Sequence, residues 1–318
     1  MPTFGDIQQA HARIRAYIHR TPVLTCKSLD ERVGTQVYLK CENLQKVGAF
    51  KFRGASNAVF SLSEAEAEKG VATHSSGNHA QALSLAARMR GIPAYIVMPE
   101  NAPAIKKAAV AGYGGNITLC EPTLEARENS LEKVQKETGA IVIHPYNHQA
   151  VIAGQGTAAL ELLEEVPDLD MILVPVGGGG LLSGTALAAK GIHPHIRVLA
   201  AEPEMADDAF RSLEAGHILP SIHPKTIADG LLTSLGTLTF PIIREHVERI
   251  VTVSEAGIIE AMRFIWERAK LIIEPSAAVP IAALWEGGVK PAGKKVGIIL
   301  SGGNLDLDRL PWQSSHPS

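Results

Sequence analysis

The sequence predicts an α/β fold in which mostly parallel β-sheets are flanked by helices. Short β-branched runs alternate with alanine-rich helical stretches along most of the 318 residues, a pattern typical of βαβ units. Glycines or small polar residues follow several of these runs, where open parallel sheets place their ligand sites. No linker or low-complexity segment interrupts the chain, so composition alone marks no domain boundary.

Eight runs are predicted to be strands. They are Val37–Lys40, Gly70–Thr73, Ala94–Val97, Asn116–Leu119, Met171–Val176, Arg197–Ala201, Arg249–Val253 and Val296–Leu300. An amphipathic helix is predicted within the first 20 residues. Further helices are predicted at Asn78–Arg90, Thr123–Thr138, Gly156–Glu165, Leu181–Lys190 and Ser254–Arg268.

Composition excludes several classes of protein. Hydrophobic residues make up 46% of the chain and charged residues 20%, and the net charge of -3 gives no basic surface for nucleic acid. Three scattered cysteines form neither a disulfide framework nor a zinc site. No signal peptide is evident, and no apolar run approaches the roughly 18 residues that span a bilayer. We therefore expect a soluble cytoplasmic protein without nucleic-acid or membrane partners.

Four consecutive glycines follow the predicted strand at Met171–Val176. They are Gly177, Gly178, Gly179 and Gly180, and a predicted helix comes next. Backbone N–H groups at a helix N-terminus suit a phosphate, and glycines allow its close approach. The spacing fits neither GxGxxG nor the GK[ST] of a P-loop. The sequence thus predicts a phosphate site of another kind, with a flexible turn as the alternative.

Three further segments combine unusual residues. Lys51 stands between Phe50 and Phe52, and apolar surroundings lower a lysine pKa as covalent catalysis requires. The alternative is a surface lysine lying along apolar neighbours. The run from Ser75 to Asn78 either binds a carboxylate or caps the following helix. The run Ser301-Gly302-Gly303-Asn304 ends the last predicted strand, and a chain reversal is its simplest interpretation.

Together these motifs resemble the serine/threonine dehydratase and serine racemase family of fold-type II pyridoxal-phosphate enzymes. The resemblance covers nearly the whole chain and is closest to the racemase branch. The matching segments, in chain order, are KCENLQKVGAFKFRGA, HSSGNHAQA, TLEAREN, HPYNHQAVIAGQGT, VPVGGGGLLSG, AAEPEMADD, TIADGL, IEPSAA and LSGGN. The resemblance implies two domains similar to the β-subunit of tryptophan synthase. Residues 1–66 and 145–318 would form the large cofactor domain, and residues 67–144 the small domain.

The resemblance also implies roles for individual residues around pyridoxal 5′-phosphate. Lys51 matches the lysine that carries the cofactor and moves the α-proton, and Phe50 matches a residue beside the cofactor ring. Ser301 matches the residue that meets the pyridine nitrogen. Asn78 corresponds to the partner of the phenolic oxygen, and Gly230 to a residue lining the site. The residues expected to hold the phosphate are Gly177, Gly178, Gly179, Gly180 and Leu181.

Substrate residues follow from the same resemblance. Arg127 matches an arginine near the substrate, and Ser76 matches the second acid/base, on the face opposite Lys51. The carboxylate of a small amino-acid substrate is expected to bind Ser75, Ser76, Asn78 and His79.

A divalent cation and a dimer complete the expectations. The family's metal site maps onto Glu202, the carbonyl of Ala206 and Asp208, and hard oxygen ligands suit Mg²⁺, with Ca²⁺ or Mn²⁺ as alternatives. The enzyme is expected to be a homodimer. Activation by ATP is not expected, because Cys26-Lys27 and Val47 depart from the nucleotide-binding pattern of animal racemases.

The resemblance leaves several activities open. The main expectation is a serine racemase and dehydratase that acts on L-serine, D-serine and possibly L-threonine, and gives the inverted amino acid or a 2-oxo acid plus ammonia. The alternative is a threo-3-hydroxyaspartate dehydratase that gives oxaloacetate, with Arg127 or a histidine binding the second carboxylate. A β-replacing enzyme fits less well, since SSGNH departs from that group's asparagine loop. A non-catalytic ligand sensor is the remote alternative.

Overall fold

The computed structural model describes residues 1–291 and 293–313, and these form two β-sheets surrounded by helices. The strands are β1 (Val23–Thr25), β2 (Val37–Cys41), β3 (Val71–His74), β4 (Ala94–Pro99), β5 (Gly115–Cys120), β6 (Ile141–Val142), β7 (Met171–Pro175), β8 (Arg197–Pro203), β9 (Arg249–Val253) and β10 (Val296–Leu300).

Helices connect most of these strands. They are α1 (Phe4–Ile14), α2 (Lys27–Val33), α3 (Lys51–Phe60), α4 (Glu64–Ala67), α5 (Asn78–Arg90), α6 (Ala104–Gly112), α7 (Leu124–Thr138), α8 (Gln149–Glu165), α9 (Gly180–Ile192), α10 (Asp208–Ala215), α11 (Thr239–His246), α12 (Glu255–Phe264) and α13 (Pro275–Trp285). Short 3₁₀ turns lie at Glu42–Leu44, Lys46–Gly48, Glu204–Ala206 and Asp229–Leu231, and a π-helical turn at Ile265–Ala269 continues α12.

The larger sheet has the strand order β1-β2-β10-β7-β8-β9. Only β1 is antiparallel to its neighbour, with Val23 opposite Lys40, and the remaining pairs run parallel. Every residue of β7 and β10 is buried, because helices cover both faces of a parallel sheet and make its central strands apolar throughout. The predicted α/β class with mostly parallel sheets is therefore confirmed.

The smaller sheet has the order β5-β4-β3-β6, and all its pairs are parallel. It lies between residues 71 and 142, inside the span expected for a small domain. The proposed boundaries at 66/67 and 144/145 stay a prediction.

Helix α8 packs closely against both α9 and α3. Helices α8 and α9 cross where a Cβ on Gly156 would lie 2.8 Å from the carbonyl of Gly184. A Cβ on Gly154 would lie 2.6 Å from the Cα of Gly54, so α8 also approaches α3 at backbone distance. Neither crossing leaves space for an alanine. Among the described residues, no helix is both long and apolar enough to cross a membrane.

Candidate active site

Three neighbouring strands of the larger sheet end at one edge, and predicted cofactor residues follow each of them. The segment bearing Lys51 comes after β2, the four glycines after β7, and Ser301 directly after β10, which lies between the other two strands. The backbone N–H of Phe50 donates to the carbonyl of Ser301 at 2.9 Å. The fold thus brings together three segments that are far apart in sequence.

The glycine loop is tightly packed. A Cβ added at Gly178 would lie 2.3 Å from the ring of Tyr146, and one at Gly180 would lie 2.9 Å from the Cβ of the same tyrosine. Gly179 has a φ of 86°, which only glycine adopts easily. Gly180 begins the 13-residue helix α9, whose first N–H groups have no acceptor within the helix. The loop is therefore a fixed cradle at a helix N-terminus, which suits a phosphate, and not a flexible turn.

Gly230 borders this cradle. A Cβ at Gly177 would lie 2.9 Å from the Cα of Leu231 and 3.2 Å from the carbonyl of Gly230. The N–H of Gly230 donates to the hydroxyl of Ser276 at 3.2 Å. Leu181, in the first turn of α9, is buried behind the loop. The predicted phosphate and lining residues thus share one region of the fold.

Lys51 points into the site and not along the surface. Its Nζ donates to the carbonyl of Pro145 at 3.0 Å and lies 5.2 Å from the centre of the Phe50 ring. Burial lowers the pKa of its ammonium to about 8, although the carboxyl of Glu274 opposes the shift. An amine with this pKa is partly neutral near pH 7.5, as a nucleophilic or proton-transferring lysine must be.

The Ser75–Asn78 segment does not cap α5 through a side chain. Gly77 is the N-cap residue, and neither serine accepts a hydrogen bond from the first turn. The side chain of Asn78 turns towards Glu274. Ser75 and Ser76 are half-buried between the end of β3 and this helix. The first N–H groups of a 13-residue helix are consequently available to an anion, as a carboxylate site requires.

His79 and Arg127 have surroundings of their own. The ring of His79 is buried, its Nε2 lies 3.1 Å from the carbonyl of Ile143, and its Nδ1 has no partner. Arg127 lies in the first turn of α7, where its Nε donates to the carbonyl of Thr123 at 3.3 Å. Burial and the nearby charge of Arg127 lower the pKa of His74. The substrate roles of His79 and Arg127 stay predictions.

Glu274 is a site residue that the sequence interpretation did not assign. Its carboxyl accepts hydrogen bonds from Asn78 Nδ2 at 3.0 Å and from the backbone N–H of Asn304 at 3.1 Å. Asn304 Nδ2 in turn donates to Asn78 Oδ1 at 2.9 Å. Burial raises the pKa of Glu274 to about 7. The available signal was a carboxyl inside the apolar run LIIEPSAAV, because glutamate is rarely fully buried without partners.

His144 and Tyr146 cover the cradle from the other side. His144 Nδ1 accepts from the backbone N–H of Asn147 at 2.9 Å and from that of Tyr146 at 3.3 Å, which assigns the proton of the neutral ring to Nε2. Burial lowers the pKa of His144 to about 4. The ring of Tyr146 meets the imidazole edge to face at 4.5 Å. Tyr146 therefore packs on the glycine loop.

The predicted metal residues lie beyond this cradle. Glu202, near the end of β8, and Asp208, at the start of α10, are both buried, as is Ala206. Burial raises the pKa of Glu202 to about 9 and that of Asp208 to about 6. Asp208 Oδ2 has no hydrogen-bond partner. Within residues 1–291 and 293–313, no group of three or more His, Cys, Asp or Glu side chains is placed to hold a metal, so any cation here would need the Ala206 carbonyl and water.

The residues present fit pyridoxal phosphate. The site offers an enclosed amine of lowered pKa, a glycine cradle at a helix N-terminus, and a hydroxyl of Ser301 that is only 3% exposed. Asn78 supplies an amide near the lysine and the carboxyl of Glu274. A neutral hydroxyl and an amide can bind polar atoms of an aromatic ring without adding charge.

Comparisons with known proteins agree with this geometry. Residues 14–302 match the family model described as pyridoxal-phosphate dependent enzyme. The chain is 54% identical to the beta-hydroxyaspartate dehydratase of Paracoccus denitrificans over 312 residues, which cover 98% of this chain and 99% of the relative. It is also 54% identical to the serine racemase of Dictyostelium discoideum, over 97% and 96% of the two chains.

A solved structure supports the same conclusion. The crystal structure of the Dictyostelium discoideum serine racemase superposes with a TM-score of 0.93 and 54% identity, covering 96% of this chain and 99% of that one. Sequence, fold and site thus agree across nearly the full length of the chain. The chain belongs to the family of pyridoxal-phosphate-dependent enzymes, in the group that includes serine racemases and 3-hydroxyaspartate dehydratases.

Proposed function

We propose that this enzyme removes water from a small 3-hydroxy amino acid and racemises serine. The observation that carries the proposal is Lys51, whose Nζ is enclosed beside Pro145 with a pKa of about 8. The free N-terminus of α5 and the serines before it lie at the end of β3, where they can bind a substrate carboxylate. Racemase and dehydratase relatives of about equal identity support both activities.

Different residues of the protein would carry out different parts of the reaction. Bound pyridoxal phosphate supplies an electron sink that stabilises negative charge at the substrate Cα. Lys51, partly neutral at pH 7.5, removes the α-proton from one face and returns a proton to the leaving hydroxyl. The glycine loop would hold the phosphate, and Asn78 would bind a ring oxygen. Ser301 would offer a neutral hydroxyl to the ring nitrogen, so the protein would add no negative charge there.

Ser76 is the proposed second acid/base. A proton removed by Lys51 on one face and returned by Ser76 on the other would invert Cα, whereas loss of the hydroxyl leads to a 2-oxo acid and ammonia. Ser76→Ala should lose racemisation and D-serine elimination but keep most L-serine elimination. Ser75→Ala is the matched control, since it should weaken carboxylate binding for both enantiomers equally. Equal loss of all activities in Ser76→Ala would contradict this role.

A panel of substrates tests the main proposal. The cofactor-loaded enzyme should show an absorbance band near about 410–420 nm that changes when serine is added. L-serine, D-serine, L-threonine and threo-3-hydroxyaspartate are then compared, with both 2-oxo acid and inverted amino acid measured. Absence of the band, or of any product, would refute the enzyme function.

Dehydration of threo-3-hydroxyaspartate is the second candidate. The observation in its favour is the cation Arg127, close enough to His74 to lower the histidine pKa beside the serine loop. A second substrate carboxylate would need such a positive charge. Arg127→Met should lower kcat/KM for hydroxyaspartate much more than for serine. Turnover of hydroxyaspartate far above that of serine would displace racemisation as the main activity.

A divalent cation, most simply Mg²⁺, is proposed to bind Glu202, Asp208 and the carbonyl of Ala206. Supporting this, Asp208 Oδ2 is buried without a partner, and burial together with the nearby Asp208 carboxyl makes ionisation of Glu202 costly, a cost that a cation would relieve. Mg²⁺ should therefore raise the melting temperature of the enzyme.

We further propose a cytoplasmic homodimer. The three cysteines are free and buried, which suits a reducing compartment. Leu44 and Ile272 are 47% and 51% exposed, and they lie near each other because Asn43, which precedes Leu44, donates a hydrogen bond to the carbonyl of Ile272. Exposed apolar side chains of this kind are common at subunit contacts. Light scattering of the cofactor-loaded enzyme should give twice the mass of 33.8 kDa.

A further inference from the structure

Arg53, two residues after Lys51, is fully buried and makes an unusual number of charged contacts. Its Nε and one terminal nitrogen donate to both oxygens of Glu42, at 2.7 and 2.8 Å. Its two terminal nitrogens donate to both oxygens of Glu161, at 2.9 and 2.7 Å. One guanidinium therefore holds two carboxylates in paired geometry, which a lysine ammonium cannot reproduce.

Lys40 completes this buried cluster. Its Nζ donates to Glu161 at 2.7 Å and to the carbonyl of Thr21 at 2.7 Å. Arg53, Lys40, Glu42 and Glu161 are each no more than 1% exposed. Two cations thus balance two anions, and the hydrogen bonds replace water around each charge, as buried ion pairs require.

The pKa directions of Arg53 and Glu161 agree with a charged pair, whereas burial lowers the pKa of Lys40 although the charge of Glu161 opposes the shift. Burial opposes ionisation of Glu161, but Arg53 and Lys40 outweigh it and lower the pKa of its carboxyl. Burial similarly opposes the charge on Arg53, yet Glu42 and Glu161 raise its pKa. Burial lowers the pKa of His11, which approaches Glu161 to 3.9 Å, so this histidine adds no charge near neutral pH.

The cluster joins the lysine-bearing helix to three other parts of the protein. Arg53 lies in the first turn of α3, Glu42 follows β2, Glu161 is in α8, and Lys40 is in β2. Gly54, the next residue, packs against α8, and its N–H donates to Gln155 at 3.2 Å. The first turn of α3 therefore has little freedom to move relative to β2 and α8.

We propose that Arg53 is a positioning residue for Lys51. Its two-sided contact holds the first turn of α3 so that Nζ stays enclosed beside Pro145 and faces the cofactor cradle. The inference rests on the proposed role of Lys51. Within the part of the chain that the structure describes, no side-chain hydrogen bond or ion pair joins the four clustered residues to the glycine cradle, so their contribution to the reaction passes through the position of α3.

The position of Lys51 has a chemical consequence. The charge of Glu274 acts on the Lys51 ammonium, and the ammonium in turn acts on His79 and His144. Burial is the main cause of the low pKa of Lys51. At pH 8 about half of such an amine is neutral, against roughly 0.3% of a lysine of ordinary pKa. Loosening the first turn of α3 would admit water to Nζ and reduce the neutral fraction.

The test is the pH dependence of cofactor capture by Lys51. The full-length chain is dialysed free of cofactor, its fold is checked by circular dichroism, and pyridoxal phosphate is added. Capture is followed by absorbance, and borohydride reduction with mass spectrometry locates the label. Arg53→Lys keeps the charge but loses the paired contacts. In this variant, the pH at which cofactor capture reaches half its maximal rate, the capture midpoint, should rise by about one pH unit, so that capture at pH 7 slows about tenfold.

Lys40→Arg is the matched control, because it also exchanges one cation for another within the cluster, while Lys40 itself lies in β2 and makes its contacts with Glu161 and Thr21 rather than in the first turn of α3. It should lower the melting temperature without moving the capture midpoint. Glu42→Gln, which weakens one side of the Arg53 contact, should move the midpoint in the same direction as Arg53→Lys. It also provides the test if Arg53→Lys does not fold.

The outcomes separate the two proposals. If the unmodified enzyme captures no cofactor at Lys51, the proposed function fails. If it captures cofactor and Arg53→Lys does so with the same midpoint, or if Lys40→Arg shifts the midpoint equally, Arg53 only stabilises the fold and the positioning role is refuted.

Discussion

Gly178→Ala should damage cofactor binding through a steric conflict with Tyr146. The new Cβ would lie 2.3 Å from the tyrosine ring, whereas carbon atoms in contact are about 3.5–4.0 Å apart. The ring cannot move freely, because it also packs against His144 at 4.5 Å. Overpacking of this degree costs roughly 1–3 kcal/mol. If that strain is expressed on binding, the cofactor dissociation constant rises roughly 5- to 150-fold.

Equilibrium dialysis or fluorescence titration with pyridoxal phosphate measures this effect. Gly112→Ala is the control, since a Cβ there has no atom within 4 Å. The double variant Gly178→Ala with Tyr146→Ala removes the obstructing ring and should recover part of the lost affinity. Unchanged affinity in Gly178→Ala would refute the packed cradle, and no recovery in the double variant would refute Tyr146 as the cause.

Three further predictions follow from the charged groups. Burial holds the pKa of Glu274 at about 7 against an ordinary 4.5, so its carboxyl keeps a proton in the folded chain that it has lost in the unfolded chain. The contribution of Glu274 to the stability of the cofactor-free chain should therefore fall by up to about 3 kcal/mol as pH rises from 4.5 to 7. Urea unfolding of Glu274→Gln should show a smaller fall over this range, leaving the part due to Glu202 and Asp208, whose pKa values are also raised. Asp208→Asn should remove the rise in melting temperature caused by Mg²⁺, and an unchanged rise would exclude the proposed ligands. Lys106→Met breaks a partly exposed 2.5 Å ion pair with Asp229, so its unfolding free energy should change by less than about 1 kcal/mol, and a larger loss would mean that this contact is not merely a surface pair.

Strands and helices with strong local patterns were predictable. The strands Arg249–Val253 and Val296–Leu300 and the helix Asn78–Arg90 have the predicted bounds. The missed strands β1 and β6 have only three and two residues, too few for an alternating pattern, and their neighbours in the sheets determine them. Helix α8 begins seven residues before the predicted start, at Gln149 rather than Gly156. Glycines at its crossings with α3 and α9 lower its helix propensity, and tertiary packing compensates.

Some features of the site could be predicted from the sequence, and others could not. The lysine, the glycines and Ser301 are local motifs, and each lies in a segment that follows a strand of the larger sheet. The contacts of Glu274 with Asn78 and Asn304 depend on segments 196 and 30 residues away, and no spacing rule connects them. The role of Tyr146 was also hidden, because its contact with the glycine loop is set by the fold.

The position of β10 in the larger sheet has a consequence for how this chain folds. Residues 296–300 lie between β2 and β7, so the strands that carry the lysine segment and the glycine loop are not direct neighbours. During synthesis, the gap between them stays open until residues 296–300 have left the ribosome. Pairing over such sequence distances is slow, and open strand edges promote aggregation. We therefore expect nascent chains that lack β10 to depend on chaperones, and the cofactor site to form in the last stage of folding.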